Sequence, residues 1–107
     1  MARVSLTLSK DELREFSQTI LWMVNEGYPN YIFDNKDDFD SKINFAVLQQ
    51  YCANNLAKKI IQPKQQNKIQ LSEIHALAIL NSRERMSSRA LEADSILVFI
   101  YNKIHQK

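Results

Sequence analysis

The side chains best suited to chemistry are few: one cysteine, Cys52, and two histidines, His75 and His105. A structural or catalytic zinc needs several such ligands at short spacing. The two histidines stand thirty positions apart with no paired ligand beside either, so no metal centre is expected. The acids from Asp34 to Asp40 have the density of a calcium loop. The glycine of the sharp turn is missing, however, and the twelfth position is Phe45, where a bidentate glutamate is required. These acids are read as helix caps and solvated surface. Cys52 sits in mid-helix on an apolar face, away from the bases or positive helix ends that activate a thiol, and reads as a small core residue. A single glycine cannot build a phosphate-binding loop. Glu12, Glu15 and Glu26 form a solvated helix face. No catalytic constellation emerges, no cofactor is expected, and the chain is read as a non-enzyme.

Two features point to partners. The first is Trp22. With about 100° per helical residue, Leu13, Phe16, Ile20, Met23 and Val24 form one stripe, and Trp22 falls roughly opposite, among Asp11, Glu15, Gln18 and Glu26. Phe99 repeats this in the last helix, across from Leu97, Tyr101 and Ile104. Large aromatics on polar faces suggest a second contact surface. Three explanations stay open: the segment "YPNYIF" folds back over Trp22, a subunit or partner docks there, or the aromatics line a small-molecule pocket. Under the interface reading the partner-binding residues are Trp22, Tyr28, Tyr31, Phe33 and Phe99.

The second feature is basic. Arg83, Arg85 and Arg89 surround a turn between two helices, with serines at 82, 87 and 88 able to add phosphate contacts. A helix, turn and helix across 72–105 has the outline of a helix-turn-helix. Glu92 and Asp94 early in the second helix oppose that reading, and Glu84 offsets the arginines. The alternative function is therefore a small DNA- or RNA-binding regulator using Arg83, Arg85 and Arg89 with Lys58, Lys59, Lys64 and Lys68.

The elements that position these residues follow from periodicity and caps. "RVSLTL" alternates as a short strand or arm. Ser9 and Glu12 form a capping box, which starts a helix running to about Glu26. Gly27 is expected as a left-handed C-cap and Pro29 as a stop. "YPNYIFDNKDDFD" then reads as a loop, with Asp38 or Asp40 capping a second helix over about 40–62. Its core face is Phe45, Leu48, Cys52, Leu56 and Ile60, and Pro63 ends it. "KIQLS" echoes the opening strand, so residues 3–8 and 68–71 are candidates for a two-stranded ribbon. A third helix begins near Ser72 with Ile74, Leu77, Ala78 and Leu80 inward. A fourth, about 88–105, buries Ala90, Ala93, Leu97, Ile100, Tyr101 and Ile104.

The expected fold is all-α, a small four-helix bundle-like domain over residues 1–107 with that short ribbon. The composition agrees: hydrophobic residues make up 45% and charged residues 24% of 107, with one glycine and two prolines. Net charge is only +2, so no strongly basic tail points to a polyanion. No stretch has the length of apolar residues that spans a bilayer, and the N-terminus lacks the apolar run of a signal peptide. With its lone cysteine, the chain reads as cytoplasmic, without a membrane or metal partner. The expected function is a non-catalytic protein–protein interaction or assembly module, such as a homo-oligomer or a small phage or mobile-element accessory protein or inhibitor.

Overall fold

In the computed structural model, which describes residues 3–85 and 94–105, the opening alternation forms strand β1 (Arg3–Leu8). It pairs antiparallel with β2 (Asn67–Ser72), as the echo suggested, with Leu6 opposite Ile69 and Val4 opposite Leu71. Alternation sends these four side chains and Leu8 into the core and leaves Arg3, Ser5, Thr7, Lys68 and Gln70 outside. The rest of the described chain is mostly helical.

Helix α1 (Lys10–Trp22) starts at the expected capping box. The Ser9 N–H donates to Glu12 Oε1 at 2.9 Å and the Glu12 N–H donates to Ser9 Oγ at 3.2 Å. The chain does not stop at Gly27. A five-residue π-turn, Met23–Gly27, leads directly into helix α2 (Tyr28–Asp34). Gly27 has φ −60° and ψ −60°, which is right-handed, so it is not the left-handed cap expected, and "YPNYIFD" is helix, not loop. The physical reason lies in the wide turn. In a regular helix the Pro29 ring would strike the carbonyl four residues back. Here the Tyr28 N–H reaches back five residues to the Met23 carbonyl, and the widened turn lets the chain pass Pro29 while staying helical. The turn also keeps Met23 and Tyr28, five residues apart, both fully buried.

Helix α2 closes where Asn35 Nδ2 donates to the Tyr31 carbonyl at 2.8 Å. Asp38 then caps helix α3 (Phe39–Tyr51), its Oδ1 accepting from the Ser41 N–H at 3.1 Å. A second π-turn, Cys52–Leu56, joins α3 to helix α4 (Ala57–Ile61). This continuous rod matches the expected second helix closely. Leu48, Cys52 and Leu56 are buried and Phe45 is partly so, but Ile60 is exposed. It follows the π-turn, whose extra residue rotates later positions off the α-helical face.

Ser72 caps helix α5 (Glu73–Arg85), its Oγ accepting from the His75 N–H at 3.3 Å. Ala76, Ala78, Ile79 and Ser82 are buried, and Leu80 is partly so. Ile74 and Leu77, expected inward, are exposed. Helix α5 packs against α3, with Ala76, Ala78 and Ile79 turned to the interior, so that Ala78 and in part Leu80 lie as expected and Ile74 and Leu77 face out. Inside, Ser82 Oγ donates to the Ala78 carbonyl at 2.6 Å. Its single proton is thereby used, so the Tyr28 hydroxyl is the donor in the 2.6 Å bond to Ser82 Oγ. Helix α6 (Asp94–His105) packs on α5 and β1 and buries Ile96, Leu97 and Ile100. Ile104 is partly buried, whereas Tyr101 is exposed, contrary to expectation. The expected start near Ser88, with Ala90 and Ala93, lies outside the described residues.

Leu56→Ala should cost about 2 to 5 kcal/mol, since it removes a buried side chain from the last position of the second π-turn. Ser9→Ala should cost about 1 kcal/mol through loss of the cap. Urea denaturation with fitted midpoints measures both. A Leu56→Ala protein within about 0.5 kcal/mol of wild type would contradict the packing described.

Candidate functional site

Two regions of the described surface are candidates for contact. The first is apolar. Helix α3 turns Leu48 and Tyr51 inward, and about 180° away it carries Phe39, Ile43 and Ala46, all exposed. A helix with one buried face ordinarily shows polar residues on the other. Phe33 stands in the last turn of α2, and a short turn of four residues separates that helix from Phe39, the first residue of α3. Phe33, Phe39 and Ile43 are 75%, 67% and 60% exposed, too much for residues completing their own core. The Lys36 ammonium lies 5.9 Å from the Phe33 ring centre and that of Lys42 lies 5.3 Å from Phe39, so lysines shield part of each ring.

The aromatics singled out in the sequence are scattered by comparison. Phe33 belongs to this region. Tyr31 is partly buried and its hydroxyl donates to Asp38 Oδ2 at 2.9 Å, which braces the α2–α3 turn. Tyr28 is buried completely and stacks with Phe45 at 5.8 Å between ring centres, so it belongs to the core and not to a partner surface. Trp22 is partly buried and packs on the edge of the core, as do Tyr31 and Ile32. Phe99 is exposed, with the Lys103 ammonium 5.4 Å from its ring centre, and borders a shallow cavity of about 230 Å³ with Leu6, Leu8 and Ile96. Trp22 does not line that cavity. Phe39 and Ile43 were missed, although their i, i+4 spacing opposite Leu48 and Tyr51 is visible in the sequence.

The second region is basic. Lys58 and Lys59 on α4 face Lys68 on β2 across two adjoining cavities of about 400 and 610 Å³. Lys64, in the connector, lines the larger one. Its backbone is held by the buried Asn67. Asn67 Oδ1 accepts from the Lys64 N–H at 2.9 Å, and its Nδ2 donates to the Lys64 carbonyl at 2.7 Å and to the Leu8 carbonyl at 3.2 Å. The four lysines named in the sequence thus share one groove. Of the arginines grouped with them, Arg83 and Arg85 lie on the last turn of α5, with side chains outside the described set, and Arg89 lies outside the described residues altogether. A signal for the groove was present in the sequence. From Ser41 to Ser72 there is no aspartate or glutamate, while five lysines occur: Lys42, Lys58, Lys59, Lys64 and Lys68.

Between these regions lies a small titratable cluster. Burial pushes the Cys52 thiol up to about 11. The Tyr51 phenol is also raised, first by burial and then by the neighbouring Cys52 charge. The His75 ring is 5.1 Å from Tyr51, centre to centre, and burial lowers its basicity. A thiol held protonated is a poor nucleophile and a poor metal ligand. Among the described residues no group of three or more His, Cys, Asp and Glu is placed to hold a metal, and no helix is long and apolar enough to cross a membrane.

Comparison with protein-family models, with characterised proteins and with solved structures returns no match to the chain.

The raised thiol has consequences in solution. At pH 8 the native protein should react with a thiol reagent far more slowly than the urea-unfolded chain, as followed by thiolate release. A group with a raised folded pKa favours the native state below its unfolded pKa of 9.0, and that contribution fades as pH rises toward about 11. Tyr51 acts in the same direction at higher pH. Stability measured by denaturation should therefore fall from pH 9 to 11, and Cys52→Ala should make that decline shallower.

Proposed function

We propose that this chain is a non-catalytic protein-interaction module, built on a helical bundle-like frame, that docks a protein partner through Phe33, Phe39 and Ile43. The observation that carries the reading is the apolar face of α3 directed away from the core it already serves. Large side chains held in water on a helix, with no interior left to cover them, are the usual material of an interface centre. The turn beneath them is well braced: Asp38 receives the Tyr31 hydroxyl, the Ser41 hydroxyl at 2.9 Å and the Ser41 N–H. A pre-ordered surface loses little conformational entropy on docking. Tyr28 has no place in this surface, and Trp22 is not required by it.

Phe39→Gln combined with Ile43→Gln should leave the melting temperature almost unchanged, because neither side chain is buried. The same pair should weaken association by about 2 kcal/mol or more, roughly thirtyfold, if these residues anchor the contact. Sedimentation velocity of the purified chain reads self-association, and capture from native-host lysate treated with nuclease reads a foreign partner. Association unchanged by the double substitution would refute the assignment of this face.

A further inference from the structure

We propose that the groove between α4 and β2 binds the phosphodiester backbone of single-stranded nucleic acid. This is a different surface from the apolar one and does not rest on it. The lysines are arranged as a lined channel. Lys58 and Lys59 stand on one wall, Lys68 on the other beside its strand partner Thr7, and Lys64 at one end. None of the described lining residues is acidic. Among the described residues the recorded ion pair is Arg14 with Asp11, and none of the four lysines is paired with a carboxylate.

The remaining lining suits phosphate and sugar oxygens. Asn54, Asn55, Gln62, Gln66 and Gln70 are exposed amides, and Thr7 adds a hydroxyl. Tyr51, the aromatic in the lining, is buried and offers no face for a base to stack on. Recognition therefore falls to the backbone, and binding should tolerate any sequence. Four cations with no carboxylate partner among the described residues, set along two joined cavities, exceed what one phosphate group would neutralise, whereas a run of phosphates matches them. A concave channel also suits a single strand laid within it better than a flat bilayer surface. Asn67 is the positioning residue: buried beneath the channel, it ties the Lys64 backbone to β1 through Leu8.

Fluorescence anisotropy with a labelled mixed-sequence strand of about 20 nucleotides, titrated between about 50 and 200 mM salt, tests this. With up to four phosphates contacted, the slope of log affinity against log salt should approach about −2.8. Converting Lys58, Lys59, Lys64 and Lys68 together to Gln should weaken binding at low salt at least about tenfold and bring the slope near zero. Each single Lys→Gln should flatten the slope by about 0.7, which keeps the test valid should the quadruple variant fold poorly. Lys36→Gln with Lys42→Gln, outside the channel, should leave the slope unchanged. The proposal is overturned if the strand does not bind at low salt, or if the quadruple variant binds like wild type while folded. Tighter binding to polyglutamate or to anionic vesicles overturns the ligand class. A duplex bound as tightly as the single strand overturns the single-strand assignment.

Discussion

The pairing of β1 with β2 is the constraint on which the other elements depend. A two-stranded ribbon is marginal by itself in water and needs a covered apolar face. Here that face carries Val4, Leu6, Leu8, Ile69 and Leu71, all buried. Register is sharply specified, because a slip of β1 by one residue would turn Val4, Leu6 and Leu8 outward and bring Ser5 and Thr7 into the core, and a slip of β2 would do the same with Ile69 and Leu71 against Lys68 and Gln70. The pairing also joins segments about sixty residues apart in sequence. It thereby sets where α1 begins, at Ser9, and where α5 begins, at Ser72. Asn67 reinforces the join from inside by bonding the Leu8 carbonyl. The outward side of the same ribbon becomes one wall of the lysine channel.

What the sequence revealed well was local and strongly patterned. The Ser9–Glu12 capping box, the strand alternation and the apolar line Leu48, Cys52, Leu56 each depend on near neighbours, and each is present in the structure. The failures share a cause: a local signal that tertiary packing overrode. Gly27 and Pro29 are ordinary helix terminators, yet a π-turn takes up the proline and the helix proceeds to Asp34. Burying Tyr28 against Phe45 and Ser82 rewards that continuation. On α5 the pattern sets Ile74 and Leu77 inward with Ala78 and Leu80, but packing with α3 buries Ala76, Ala78 and Ile79 and leaves Ile74 and Leu77 outside. Periodicity cannot tell which side is the core when a helix is apolar on both.

The candidate sites were legible to different degrees for the same reason. The lysine group was recognisable by charge, but its convergence depends on β2 returning alongside α4, a long-range relation that no local pattern encodes. The acid-free span from Ser41 to Ser72 shows that the charges are segregated, though a net charge of +2 conceals it. In the sequence Trp22 stands out against a polar face, yet in the fold it is partly buried at the edge of the core. The exposed apolar residues instead begin at Phe33 and continue along α3, where apolar neighbours on the buried side disguised them.

The two proposed surfaces are carried by one rod. The helix from Phe39 through the second π-turn to Ile61 is continuous. Phe39 and Lys59 lie twenty residues apart on it, about 30 Å at the usual helical rise. That distance is several times the roughly 8 Å over which charge is screened at physiological salt. A strand in the lysine channel would therefore change the electrostatics around Phe39 very little, and a protein on Phe39 and Ile43 would leave the channel open. Coupling between the sites would have to pass through the rod itself. Its weakest point for such transmission is the π-turn at Cys52–Leu56, where the regular hydrogen-bond pattern is interrupted. The buried side chains of Tyr51, Cys52 and Leu56 hold that turn in place. On the two proposals above, a protein on Phe39 and Ile43 and a strand in the channel would then bind side by side, because their separation exceeds the range of screened charge.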